Sequence, residues 1–251
     1  MSSTLIFLCI AGFFATLVDS IAGGGGLISL PAYMLTGMPT YLALGTNKFS
    51  ASCGSFTSSL KFAKSKILDF KILRILVPFT FIGAILGVNT VLIIDTKYLN
   101  VIVLILLLSV GIYSLFSKTA GMEDKFQGLT HKSIFLGIIL AFSLGFYDGF
   151  FGAGVGSFLI FGLVKVFSFN FVRASANSKI LNFTSNITSL VMFAIKGQID
   201  YKLGIPVAIF MILGAQVGTR MALDKGVKLI KPLFVTMSLG VALKMLYEIV
   251  L

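Results

Sequence analysis

Long apolar segments alternate with short loops along almost the whole chain. A helix needs about 20 apolar residues to cross the roughly 30 Å of hydrocarbon in a bilayer. Of the 251 residues, 57% are hydrophobic and only 12% are charged, which excludes a disordered chain, a disulfide scaffold and an ordinary soluble enzyme. We therefore predict an all-α polytopic membrane protein with about eight to ten membrane segments. The apolar segments are 4–22, 27–40, 43–63, 72–94, 98–117, 132–150, 153–169, 172–196, 203–223 and 229–250.

Basic residues are distributed unevenly over the loops between these segments. If the loop around residues 61–74 is placed in the cytoplasm and successive loops lie on alternate sides of the membrane, 14 of the 20 basic residues are cytoplasmic. Cytoplasmic loops of membrane proteins carry an excess of lysine and arginine. The charge distribution therefore predicts that both termini face outside. The net charge of +11 reflects this orientation and does not indicate nucleic-acid binding.

Two parts of the chain have similar sequences. The stretch that begins at Asp19 (Asp-Ser-Ile-Ala-Gly-Gly-Gly-Gly) aligns with the stretch that begins at Asp148 (Asp-Gly-Phe-Phe-Gly-Ala-Gly-Val). Beyond residue 43 the similarity continues at an offset of 131 residues. Matched pairs at this offset include Lys48/Lys179, Thr57/Thr188, Asp69/Asp200, Gly83/Gly214 and Gly87/Gly218.

This duplication predicts a first repeat at residues 1–117, a cytoplasmic linker at 118–131 and a second repeat at 132–251. Each repeat holds an odd number of crossings, so the two copies are expected to have inverted topology. Inverted repeats are typical of secondary transporters, in which two related halves exchange open and closed states. The alternative is a duplicated scaffold with no role in transport.

Each glycine cluster is followed by a short apolar segment, 27–40 or 153–169, which we interpret as a half-helix or a re-entrant arm. A helix that begins inside the membrane exposes backbone N–H groups, and such N-termini bind anions. The alternative is close helix packing through small residues, which is enough to explain Gly83 and Gly87. The glycines predicted to bind substrate are Gly23, Gly24, Gly25, Gly26, Gly152, Gly154 and Gly156.

The next helix of each repeat has a polar face that includes a lysine. Lysines in such stripes face protein or a water-filled path and supply positive charge for an anion. Asn47 and Asn177 can add amide donors, so these two residues and the lysines complete the predicted site. Snorkelling of both lysines to the membrane surface is the alternative. The stripes are Lys48, Ser52, Ser55 and Ser59 on the first helix, and Lys179, Asn182, Asn186 and Ser189 on the second.

Asp19 and Asp148 precede the two glycine clusters. A carboxylate there must be protonated, paired with a lysine or open to a cavity. Proton coupling and a structural role, as a cap for loop N–H groups or a partner of a lysine, both remain open. The single histidine and two unpaired cysteines predict no metal, no cofactor and no enzyme activity. No nucleotide-binding motif points to an ATP-driven pump.

These motifs resemble the TauE/SafE family of sulfite exporters. The resemblance rests on the Asp19 and Asp148 motifs and on Gly45-Thr-Asn-Lys48, and it covers essentially the whole chain. It implies an inner-membrane carrier of small sulfur oxyanions or organosulfonates, driven by an ion gradient. Ala176-Asn-Ser-Lys179 departs from the Gly-Thr-Asn-Lys pattern, so the two half-sites differ. An anion channel that uses the same polar helices as a pore is the alternative.

Overall fold

The computed structural model describes residues 3–95, 98, 102, 105 and 123–225. The predicted segment 229–250, nearly all of 98–117 and part of the linker lie outside these residues. Within them the structure contains α-helices and no strands, which confirms the all-α prediction. The helices are α1 (Ser3–Ala22), α2 (Gly26–Met34), α3 (Thr40–Lys64), α4 (Phe70–Ile93), α5 (His131–Phe150), α6 (Val155–Phe167), α7 (Phe171–Ile195) and α8 (Tyr201–Lys225).

Four of the described helices, α1, α4, α5 and α8, are long and apolar enough to cross a membrane. Their large apolar side chains, such as Phe14, Phe81, Phe135 and Ile209, are exposed at the surface, as expected for contact with lipid. The 25-residue helices α3 and α7 carry many polar residues, and most of these are buried within the protein. The apolar helices therefore shield two polar ones.

Helices α2 and α6 are too short to cross a bilayer. Their 9 and 13 residues correspond to about 14 and 20 Å of helix, against roughly 30 Å of hydrocarbon. The prediction of half-helices after the glycine clusters is confirmed by these lengths. Helix α2 ends at Met34, six residues before the end of the predicted segment, because Gly37 adopts a left-handed conformation with φ of 77°.

Glycines allow two pairs of long helices to pack with their backbones in contact. A Cβ added at Gly214 of α8 would overlap the carbonyl oxygen of Phe13 of α1, and one at Gly83 of α4 would overlap that of Phe142 of α5. One turn further along, Gly218 meets Leu17 and Gly87 meets Phe146. In each pair, residue numbers increase in the same direction along both helices. Helix α1 therefore runs parallel to α8, and α4 runs parallel to α5.

Helices α3 and α7 run in opposite directions. Ser59 near the end of α3 donates a hydrogen bond to Lys179 O near the start of α7 (3.0 Å). At the other end, Thr46 near the start of α3 accepts a hydrogen bond from the N–H of Asp200, which follows α7 (2.9 Å). The two polar helices therefore form a central antiparallel pair.

The helices group into two bundles. We call α1, α2, α3 and α8 the first bundle and α4, α5, α6 and α7 the second. Leu8, Tyr33 and Met211 pack together in the first bundle. Leu76 and Leu163 pack together in the second, in a cluster that also includes Ile21 of α1 and Phe62 of α3. Helices α4 and α8 each pack in the bundle formed mainly by the other half of the chain. The bundles therefore do not coincide with the two sequence repeats.

Arg173 joins three loops at one end of the structure. Its guanidinium lies 2.7 Å from Asp69 Oδ2 and 3.4 Å from Asp124 Oδ2. The same group lies over the rings of Phe126 and Phe169, 4.6 and 4.2 Å from their centroids. Two of these loops, the one around residues 61–74 and the linker at 118–131, are predicted from the sequence to be cytoplasmic, and here they meet.

Candidate functional site

The glycine clusters before α2 and α6 lie against each other. Gly23 and Gly152 have φ angles of 71° and 88°, a region that favours glycine. A Cβ at Gly23 would overlap the backbone of Gly156 and Ser157. Side chains are therefore excluded by conformation and by space, and two helix N-termini, at Gly26 and Val155, are brought close together.

A cavity of about 40 Å³ lies beside these helix starts. It has room for about three water molecules. Its walls come from both bundles and combine backbone at the glycine clusters with polar side chains of α3 and α7. The lining residues are Ala15, Thr16, Asp19, Gly24, Gly25, Gly26, Ser29, Asn47, Lys48, Ala51, Asp148, Gly152, Val155, Gly156, Asn182, Asn186 and Met211.

Lys48 and Asp148 form an ion pair in the cavity wall. Lys48 Nζ lies 2.6 Å from Asp148 Oδ1, and the two side chains are 3% and 2% exposed. Lys48 also donates to Asn186 Oδ1 (3.1 Å), while Asp148 Oδ2 accepts from the Ser185 hydroxyl and from Asn182 Nδ2 (3.4 Å for the amide). Such full hydrogen bonding is what a buried ion pair requires.

Asp19 and Lys179 form a second ion pair, 2.6 Å long. Lys179 is completely buried and lies outside the cavity lining. Asp19 Oδ1 accepts a hydrogen bond from the N–H of Gly25 (3.2 Å), so this carboxylate also holds the loop before α2. Of the roles left open for Asp19, the structure shows both lysine pairing and loop capping.

Asn47 faces the cavity with unused hydrogen-bonding capacity. The residue is 6% exposed, and its Oδ1 finds no partner among the described residues. Buried polar atoms are normally hydrogen-bonded, so an exception beside a cavity indicates a ligand or a water position.

Asn177 lies away from the cavity. Its Oδ1 accepts from the N–H of Asp69 (2.9 Å) and its Nδ2 donates to Arg173 O (2.8 Å), so its amide is fully used in fixing the loop before α4. The residues predicted for the site that line the cavity are Asp19, Gly24, Gly25, Gly26, Asn47, Lys48, Asp148, Gly152 and Gly156. Those outside its lining are Gly23, Gly154, Asn177 and Lys179.

Some lining residues were not predicted, among them Thr16, Ser29 and Met211. Thr16 donates to Met211 O across the α1–α8 contact (2.7 Å). An isolated threonine or serine in an apolar segment carries no signal of its own, so only the fold places these residues at the cavity. Within the described part of the chain, no group of three His, Cys, Asp or Glu side chains could hold a metal ion.

Comparison with known proteins decides the family. Residues 8–245 match the family model described as sulfite exporter TauE/SafE. The chain belongs to the TauE/SafE family. This result confirms the resemblance found in the motifs, and it covers both polar helices and both glycine clusters.

Relatives of this chain are named as probable membrane transporters. A "probable membrane transporter protein" of Haemophilus influenzae is 40% identical over 97% of this chain and 94% of its own length. The probable membrane transporter protein YfcA of Escherichia coli is 36% identical over 95% of this chain and 87% of its own. The probable membrane transporter protein ORF9 of a Sinorhizobium species is 36% identical over 97% of this chain and 93% of its own length. No solved structure matches the chain significantly.

Proposed function

We propose that this protein is a gradient-driven secondary transporter that carries small sulfur oxyanions or organosulfonates across the inner membrane. The observation that carries the proposal is the cavity between two glycine-broken helix starts, with Lys48 and Asn47 in its wall. Helix N-termini, an ammonium group and an amide together offer the donors that an oxyanion needs. The described function of the family, sulfite export, supports the substrate class.

The proposed mechanism is alternating access between inverted halves. The antiparallel α3–α7 pair, and the parallel pairing of α1 with α8 and of α4 with α5, support opposite orientations of the two repeats. Helices α4 and α8 each pack against helices of the other repeat. The units that move against each other are therefore the two bundles and not the two repeats. The cavity lies between them, where the rocking would open it first to one side and then to the other.

The proposal is tested by uptake of labelled anions into proteoliposomes that contain the purified protein. We expect saturable, gradient-driven uptake of at least one of sulfite, thiosulfate and sulfoacetate, and no uptake of a cation such as choline. Empty liposomes provide the background. Unitary currents in planar bilayers would instead identify a channel, and the absence of flux for every anion would contradict the proposal.

A topology measurement tests the inverted arrangement. We expect reporters fused after Lys66 and after Lys196 to lie on opposite sides of the membrane, with the first in the cytoplasm. The physical reason is that α3 and α7 are antiparallel, so their C-terminal ends point in opposite directions. Paired reporters, one active in the cytoplasm and one outside it, make each position its own control. Reporters on the same side would rule out inversion.

A further inference from the structure

We propose that Asp148 takes a proton when the anion binds, so that one proton accompanies each monovalent anion that is transported. This inference rests on the proposed function and names its coupling ion. It follows from the charges at the cavity, from the partners of Asp148 and from the unused hydrogen-bonding capacity beside it.

Among the described residues, the charged side chains around the cavity sum to zero. Lys48 is paired with Asp148, and Asp19 is paired with Lys179, both at 2.6 Å. An anion added to this arrangement would leave a net negative charge in a buried site, next to a carboxylate. Such a charge is strongly disfavoured away from water. Protonation of Asp148 removes that carboxylate charge, frees Lys48 for the anion and restores neutrality.

The surroundings of Asp148 are compatible with both protonation states. Once Asp148 is protonated, the Ser185 hydroxyl can rotate to accept a hydrogen bond from it, and the Asn182 amide can continue to donate to the carboxyl group. Lys48 keeps its hydrogen bond to Asn186 Oδ1 while its remaining donors turn to the anion. The switch therefore needs no partner beyond those already in contact.

In the described part of the chain, few other charged or titratable groups lie near Asp148. Lys48 approaches from α3, and the Asp19–Lys179 pair lies on α1 and α7. The hydroxyl of the neighbouring Tyr147 donates to Ala153 O (2.7 Å). The lining residues from α2, α6 and α8 are uncharged. The part of α4 that packs against this end of α5 lies after Arg74, and it is also uncharged.

Asp19 does not have the same properties. Its lysine partner is outside the cavity lining, and its own carboxylate holds the N–H of Gly25. Loss of its charge would release the loop before α2 and leave Lys179 unpaired, without freeing an ammonium group for substrate. Asp19 is therefore a positioning residue and provides a matched control for Asp148.

Asn47 adds independent support for a ligand at this point. Its Oδ1 is buried, has no partner within residues 3–95 and 123–225, and belongs to a residue in the same cavity wall as Lys48. An acceptor of this kind is satisfied by a ligand or water that brings a hydrogen, such as hydrogen sulfite. With an ionised ligand oxygen, a turn of the amide presents its N–H₂ group instead.

The proton step is balanced over one transport cycle. On the loading side, a proton from water binds a carboxylate oxygen of Asp148, and the Lys48–Asp148 contact gives way to a Lys48–anion contact. On the other side the anion leaves, the proton returns to water and the ion pair forms again. Proton and anion move in the same direction. A monovalent anion with one proton carries no net charge.

The test uses wild-type protein in proteoliposomes with two probes, sulfite and methanesulfonate. Methanesulfonate has no titratable proton near neutral pH, so any proton that enters with it is carried by the protein. We expect internal acidification at one proton per methanesulfonate, accumulation driven by an acid exterior, and no response of either probe to a potassium diffusion potential. Uptake that follows the potential, or lacks proton entry, would overturn the inference and leave the proposed function intact. Absence of uptake of both probes and of thiosulfate and sulfoacetate would overturn the proposed function.

Two matched variants assign the proton to its residue. Asp148→Asn is expected to retain anion exchange but to lose accumulation driven by the pH gradient, whereas Asp19→Asn slows uptake and keeps one proton per anion. If Asp148→Asn does not fold, Asp148→Glu provides the test. Because this variant keeps a carboxylate at the position, we expect one proton per anion as in the wild type, with a shifted pH dependence of uptake. An unchanged ratio in Asp148→Asn, or an unshifted pH dependence in Asp148→Glu, would remove Asp148 from the mechanism.

Discussion

Replacement of Lys48 by alanine is expected to lower anion uptake by about tenfold or more, since a hydrogen bond to a charged group contributes about 1.5–3 kcal/mol and 1.4 kcal/mol corresponds to a factor of ten. Among the described residues, Lys48 supplies the one ammonium group in the cavity lining. Its loss removes the positive charge that holds the substrate. Initial rates of sulfite uptake in proteoliposomes measure the effect.

A second consequence of Lys48→Ala has to be separated from the first. The substitution leaves Asp148 buried without a counter-ion, and breaking a buried pair in this way costs about 3–5 kcal/mol of stability. The double variant Lys48→Met, Asp148→Asn removes both charges and keeps the volume, so we expect it to regain stability without regaining uptake. Lys165→Ala removes a lysine charge from an exposed site and should leave uptake unchanged. Wild-type uptake by the double variant would show that the ion pair has no part in transport.

Replacement of Gly23 by alanine is expected to give a large loss of stability. A left-handed φ of 71° costs an L-residue about 1–2 kcal/mol. The added Cβ would also overlap the backbone of Gly156 and Ser157, and forced overpacking costs about a further 1–3 kcal/mol. Because both neighbours are backbone atoms, neither can turn away. The loop before α2 would therefore move off α6 and distort the cavity.

Thermal unfolding in detergent measures this effect. The buried thiol of Cys9 provides the signal, because a thiol-reactive dye gains access to it when α1 leaves the first bundle. Gly37→Ala is the matched control, since Gly37 has a similar φ of 77° but open space around the added Cβ. We expect a clearly lower midpoint for Gly23→Ala than for Gly37→Ala. Equal midpoints would mean that φ strain, and not the contact between the two glycine clusters, limits this position.

Most of the described fold could be predicted from the apolar pattern. Segments 4–22 and 132–150 differ by one residue at their start from the helices Ser3–Ala22 and His131–Phe150, because continuous apolar runs define long helices well. The shortness of α2 was anticipated from the glycine cluster before it. Its end at Met34 was not, since Pro31 and Gly37 gave no unambiguous stop within an apolar run.

The candidate site was predictable in composition but not in its pairing. Duplication drew attention to Lys48, Lys179, Asp19 and Asp148, and all four carry ion pairs in the structure. The partners, however, are 100 and 160 residues apart, and each pair joins one half of the chain to the other. No local spacing encodes such contacts, because they depend on how the two halves pack.

Asn177 shows the limit of reasoning from residue type alone. The sequence predicts that Asn177, like Asn47, supplies an amide donor to the site, because both are asparagines near a lysine of the polar helices. The 131-residue offset instead pairs Asn177 with Thr46. These two residues do the same work, since each accepts a hydrogen bond from the backbone N–H of the aspartate that precedes the next helix, Asp69 or Asp200. Position in the alignment was the better guide than residue type.

The crossed packing of α1 and α8 also has a consequence for biogenesis. Helix α1 emerges from the ribosome long before its glycine-mediated partner α8, since Thr16 and Met211, which share a hydrogen bond, are 195 residues apart. Until then the contact surface of α1 around Gly12 remains without its native neighbour, and contacts of such long sequence separation form slowly. Helix α4, by contrast, receives α5 much earlier. The second bundle can therefore assemble during synthesis, while the first is completed only when α8 enters the membrane.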